Sequence, residues 1–123
     1  MTAPSTATAI REASAEDWAW RMLLQGRDHL RLLLGRHDSS EAAWEAMPGT
    51  TGHTGFDILL AGLVAHEFEA ADEAPPTWTK VEALPDPWVP THPFLDHDEI
   101  VAQTPEYLAG LNVFVPSRDL ATA

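Results

Sequence analysis

The chain has 123 residues, 45 % of them hydrophobic and 21 % charged, and a formal net charge of −12. That length holds one compact core, and the apolar fraction excludes wholesale disorder. No cysteine is present, which excludes disulfides, thiolate metal sites and thiol nucleophiles.

Charge is unevenly placed. Residues 1–36 carry five of the seven basic residues, Arg11, Arg21, Arg27, Arg31 and Arg36, against the four acids Glu12, Glu16, Asp17 and Asp28. Beyond residue 36, Lys80 and Arg118 stand against fifteen acids. A field of that sign repels phosphate backbones and attracts cations or basic proteins, so direct nucleic-acid binding is disfavoured. Its plainer use is to keep the protein dissolved.

The first ten residues hold neither a basic cluster nor an apolar run, so no signal peptide is expected. The longest uncharged apolar stretch, residues 58–65, is far too short to span a membrane. With no cysteine, this suits a cytoplasmic protein. The Thr/Ala/Ser-rich residues 1–13 are expected to form a flexible tail, and residues 14–123 a single helical domain.

Ser14 and Asp17 read as a capping box opening a helix that runs to about Leu34, with Gly35 as its stop. Trp18, Met22, Leu23, Leu30, Leu33 and Leu34 recur at three- and four-residue steps and predict its buried face. Arg21, Gln25, Asp28 and Arg31 fall on the other side, and Gly26 marks a bend or a close neighbour. Ser39 or Ser40 would cap a short helix through Trp44 and Ala46, ended by Pro48 and Gly49. Thr54 with Asp57 is a second capping signature, opening a helix over 55–71. Its apolar stripe, Phe56, Leu59, Leu60, Leu63, Val64 and Phe68, marks it as the central core helix.

Six prolines fall in the nineteen residues 75–93, which excludes a helix or central strand there. Trp78, Val81, Leu84, Trp88 and Val89 within that stretch predict an ordered loop laid over the core. Residues 96–103 suit a short helix with Ile100 and Val101 inward, and Thr104-Pro105-Glu106 starts another ending near Gly110. Asn112 to Val115 alternates as a short extended piece, and Ser117 would cap a last turn. The expected fold is thus mostly α, a small single-domain helical bundle with a long Pro/Trp-rich ordered loop and at most a short extended segment.

No residue pattern reads as catalytic. His66 has no second histidine one helical turn on, as a helical zinc-protease motif requires. No serine sits in a nucleophile elbow, and no glycine-rich loop leads into a lysine. His92, Asp96, His97 and Glu99, with Asp98, could hold a divalent cation in a small metal-assisted enzyme. An acidic helix start explains the same acids without a metal, and no cofactor is expected. The arginines from Arg21 to Arg36 leave open a DNA-linked regulator, or a merely solvated face. Trp78 and Trp88, with Glu82 and Asp86 beside them, have two readings. They are a partner-binding patch, or the indoles are staples pinning the loop.

Four stretches together carry a resemblance: GFDILLAGLVAHE at 55–67, PTWT at 76–79, PWVP at 87–90 and NVFVPSRDL at 112–120. The chain resembles a group of actinobacterial antitoxin-like, regulatory proteins. In that group a similar region follows a helix-turn-helix domain or stands beside a nucleotidyltransferase-like toxin. The shared motifs are a helix, a Trp-Thr loop and a Pro-Trp corner, and none of them carries catalytic residues across. No helix-turn-helix pattern occurs here. The resemblance therefore implies a standalone, non-enzymatic module that neutralises or regulates a basic partner, a nucleotidyltransferase-like toxin being the expected one.

Overall fold

A computed structural model describes residues 1–36 and 42–121. The protein is mostly helical, as its periodicities predict. Among the described residues there are six α-helices: α1 (Ala3–Arg11), α2 (Glu16–Gly35), α3 (Ala42–Glu45), α4 (Thr54–Ala70), α5 (His97–Gln103) and α6 (Glu106–Ala109). Two 3₁₀ turns, Thr77–Thr79 and Ser117–Leu120, complete the set. None of the described helices is long and apolar enough to cross a membrane. The chain divides into two compact units, Met1–Val81 and Glu82–Ala123.

In the first unit, α4 is the core. Phe56, Leu59, Leu60, Leu63, Val64 and Phe68 are buried as the stripe predicts, but so are Ala61, Gly62 and Glu67, so burial extends well round the helix. Its start differs from the expected Thr54–Asp57 box. His53 is the N-cap, and its Nδ1 accepts from the Phe56 N–H at 3.3 Å. Asp57 instead faces back along the chain. Its Oδ1 accepts from the Thr51 N–H and hydroxyl, each at 2.7 Å, and Oδ2 accepts from the Thr50 hydroxyl at 2.9 Å. At the other end Asp72 adopts φ 60°, and the Asp72 and Glu73 N–H groups return to the carbonyls of Glu69 and Phe68. This is a Schellman closure, made here without glycine.

Residues 3–11, expected in a flexible tail, are a helix. Thr2 and Ser5 form a capping box, Pro4 sits in the first turn, and Ala3, Thr6, Ala7 and Ile10 are buried. The small residues that suggested disorder are what let α1 lie close to α2. A Cβ on Gly26 would meet Thr6 Oγ1 at 2.6 Å and Cγ2 at 2.7 Å. Gly26 therefore accepts a close neighbour, the second of the two roles its position suggested.

Helix α2 begins one residue after Ala15, which makes no side-chain cap, so the Ser14–Asp17 box does not form. The helix includes Gly35 and is capped by Arg36. Its buried face is Ala19, Leu23, Gly26, Arg27, Leu30, Leu33 and Leu34. Trp18, assigned inward from spacing, is 48 % exposed, with the Arg21 guanidinium over its ring. Arg27 is 3 % exposed. Arg31 reaches α4, where its Nε lies 3.0 Å from Oε2 of buried Glu67 and its Nη2 2.5 Å from Oε1. Helix α3 carries the fully buried Trp44; the expected caps Ser39 and Ser40 lie outside the described residues.

The Pro/Trp-rich stretch is ordered. In the first unit, Trp78 is half-buried and its Nε1–H donates to the Trp44 carbonyl at 2.9 Å. In the second unit, four hydrogen bonds stitch residues 84–88 to 111–114. Leu84 N–H donates to Leu111 O at 3.0 Å and Asn112 Nδ2 to Leu84 O at 2.8 Å. Trp88 N–H donates to Asn112 O and Phe114 N–H to Trp88 O, each at 2.9 Å. The last two make a parallel bridge between Trp88 and Val113, the short extended segment expected near residue 113. Asn112 turns the chain into it with φ 62°. Helix α5 opens on the Asp96–Glu99 capping box, with Ile100 inward. Val101 is exposed, contrary to expectation. Thr104 closes α5 through its hydroxyl on the Ile100 carbonyl, leaving Pro105 as the N-cap of α6. The last turn likewise starts after Pro116 and includes Ser117.

Candidate functional site

The acid–histidine segment of the second unit is not assembled as a metal centre. Asp96 Oδ1 accepts from the Glu99 N–H at 2.8 Å, and Glu99 Oε1 accepts from the Asp96 N–H at 3.4 Å. Both carboxylates are thereby engaged at the start of α5. His97 is exposed and its Nδ1 lies 3.5 Å from Asp98. His92 turns elsewhere. Its Nδ1 accepts from the Phe94 and Leu95 N–H groups at 3.0 and 3.1 Å. The ring proton therefore belongs on Nε2, which faces Asp119 Oδ2 at 3.1 Å. Among the described residues no group of three His, Asp or Glu side chains could hold a metal ion, so the metal-assisted alternative has no ligand set there.

The arginines of α2 do not all lie on its exposed side. Arg27 points into the protein, its Nε on Asp28 at 2.7 Å and its Nη2 buried with no partner among the described residues. Arg31 is committed to Glu67, and Arg21 lies over Trp18. Spacing had grouped these arginines, and of the three Arg27 is the buried one.

The four proposed partner-binding residues divide between the two units. Trp78 belongs to the first, hydrogen-bonded to Trp44 as a staple. Glu82, Asp86 and Trp88 belong to the second, with both acids exposed and Trp88 half-buried on its backbone bridge.

Two features escaped the sequence reading. One is a groove of about 250 Å³ in the first unit, lined by Ile10, Ala13, Ala19 and Phe56 with Glu16 and His53. The His53 Nδ1 is taken up as the cap of α4. The other is Phe94, 84 % exposed on the turn that His92 fastens, with Asp96, His97, Asp98 and Glu99 exposed directly after it. An apolar residue between two prolines' worth of loop and an acidic helix start gave no periodic signal, so nothing in the spacing singled it out.

Compared with family models, curated proteins and solved structures, the chain matches none.

Proposed function

We propose that this chain is a non-enzymatic binding protein that neutralises or regulates a basic partner protein, in the manner of an antitoxin. The observation that carries this reading is the charge of the second unit. Glu82, Asp86, Asp96, Asp98, Glu99, Glu106 and Asp119 are all exposed there, with Arg118 the single basic residue among them. A unit with that excess of exposed acids steers a positively charged partner and rejects a negatively charged one, which favours a basic protein over a nucleic acid as the ligand. A basic nucleic-acid-acting enzyme masked by such a surface would lose access to its substrate by direct competition of charge.

The finer identity of the partner rests on the resemblance of residues 55–67, 76–79, 87–90 and 112–120 to actinobacterial antitoxin-like proteins. On that ground the partner is a nucleotidyltransferase-like toxin and the complex is cytoplasmic. The test is affinity capture on the tagged chain from its native cells, at low salt and at about 0.5 M salt, where charge attraction is screened within a few ångströms. A basic protein retained in stoichiometric amount at low salt and released at high salt is the expected result. No stoichiometric partner, or an acidic one indifferent to salt, would refute the reading.

A further inference from the structure

We propose that Phe94 is the anchor of the partner interface, inserted into an apolar pocket ringed by lysine or arginine on a protein partner. This rests on the binding role proposed above and names the residue and the pocket chemistry that serve it.

Phe94 is the most exposed large hydrophobic side chain among the described residues, at 84 %. It is not exposed through laxity of the chain. Pro93 fixes φ immediately before it, and the His92 ring accepts both the Phe94 and the Leu95 N–H. The same ring is held from its other nitrogen by Asp119, 27 positions along the chain, and is itself half-buried. Asp96 then begins α5 with a closed capping box. The backbone on both sides of Phe94 is thus already fixed before any partner arrives, so little ordering entropy remains to be lost on docking.

The turn uses the main chain of residue 94, not its ring. The phenyl group meets the His92 ring edge-on, centroids 6.1 Å apart, and is otherwise largely exposed. A polar residue would satisfy the same backbone bonds without exposing a benzene ring to water. Stiffly presented, exposed aromatic side chains are the usual anchors of protein interfaces. The two tryptophans are poorer candidates. Trp78 gives its indole N–H to the Trp44 carbonyl, and Trp88 is half-buried beside the bridge to Val113.

Charge fixes the rim of the complementary pocket. Asp96, Asp98 and Glu99 are exposed within five residues of Phe94, and no lysine or arginine lies between Lys80 and Arg118. An apolar pocket with an acidic rim would be repelled, and one with a basic rim attracted. A second copy of this chain is a weaker match, since the groove beside Phe56 is itself lined by Glu16.

The experiment places the photo-crosslinker p-benzoylphenylalanine at position 94 of the full chain, and in parallel at 78 and 88, in the native cells. Expected is one protein adduct from position 94, mapped to a peptide in which apolar residues are flanked by Lys or Arg. Its yield should fall about tenfold or more when Asp98→Lys is combined with Asp96→Asn and Glu99→Gln, which remove the acidic charge and keep a capping box at the start of α5. Phe94→Ala, at an exposed site that leaves the fold intact, should weaken retention of the same protein about 10- to 100-fold, the range expected for withdrawing a buried phenyl group. Phe94→Leu should retain most of it. Adducts from 78 or 88 but not 94 would overturn the anchor while leaving the binding role standing. So would a dimer-mass, lipid or nucleic-acid adduct, or no adduct from any position while a basic protein is still captured. Loss of the captured protein itself would instead remove the binding role.

Discussion

Gly26→Ala tests the packing of the first unit most sharply, because two opposing effects have to be weighed. Alanine in a helix interior is favoured over glycine by about 1 kcal/mol. Against that, the added Cβ would lie 2.6 Å from Thr6 Oγ1, 2.7 Å from Cγ2 and 3.2 Å from Cβ. Carbon pairs prefer about 3.5–4 Å, and Thr6 is fully buried, so it has no solvent to swing into. Overpacking of this kind costs about 1–3 kcal/mol, and two overlaps of nearly an ångström place it at the upper end. The net expectation is a loss of about 2 kcal/mol, or a Tm lower by roughly 8–16 °C for a unit of this size. Thr6→Ala removes the two closest atoms and should cost about 1 kcal/mol alone, for lost burial and the hydroxyl bond to the Thr2 carbonyl at 2.7 Å. Combined, the two substitutions should be less damaging than their sum by about 2 kcal/mol. Urea unfolding of the four proteins, followed by tryptophan fluorescence and circular dichroism, reads the cycle. A Gly26→Ala protein as stable as wild type, or a strictly additive pair, would refute the close approach of α1 to α2.

Arg31→Ala should cost about 1–3 kcal/mol, since it leaves the Glu67 carboxylate buried without its forked partner; the half-exposed arginine keeps the loss below that of a fully buried pair. Replacing both by leucine should recover most of it, and an Arg31→Ala protein with unchanged thermal midpoint would contradict the pairing. Asp57→Ala removes three hydrogen bonds from Thr50 and Thr51, so residues 50–53 should exchange amide hydrogens and be cleaved by protease faster while the rest of α4 stays protected. Unaltered exchange there would count against the loop's dependence on Asp57. At Asn112, with φ 62° and its Nδ2 on the Leu84 carbonyl, glycine loses the hydrogen bond alone, whereas alanine loses it and strains the backbone. Asn112→Ala should be the less stable of the two by about 1 kcal/mol in chemical denaturation, and equal midpoints would speak against strain at this turn.

The long apolar stripe of residues 56–68 was legible because a helix buried over most of its circumference needs apolar residues at almost every step. The acidic start of α5 was legible for a local reason: Asp96 and Glu99 cap a helix within four residues of each other. What failed was non-local or compositional. A helix built from Ala, Thr and Ser reads as a tail until its partner, Gly26, is placed against it. Trp18 lies off the buried face to which spacing assigned it, and the buried face takes in Arg27, a charged residue that no apolar period marks. His92 looked like one of a local cluster of ligands, but its actual partner is Asp119, distant in sequence. The tip at Phe94 was invisible because a loop residue has no period to violate. Its exposure follows only from the backbone bonds that His92 receives.

The neutralising role is tested most directly by growth. The captured basic partner is expressed alone in a heterologous bacterium, then together with this chain, and then with the chain carrying Asp98→Lys with Asp96→Asn and Glu99→Gln, which keep a capping box at the start of α5. Growth arrest by the partner, relief by the wild-type chain, and little or no relief by the variant are the expected results. A partner that does not arrest growth, or arrest relieved equally by both forms of the chain, would contradict it.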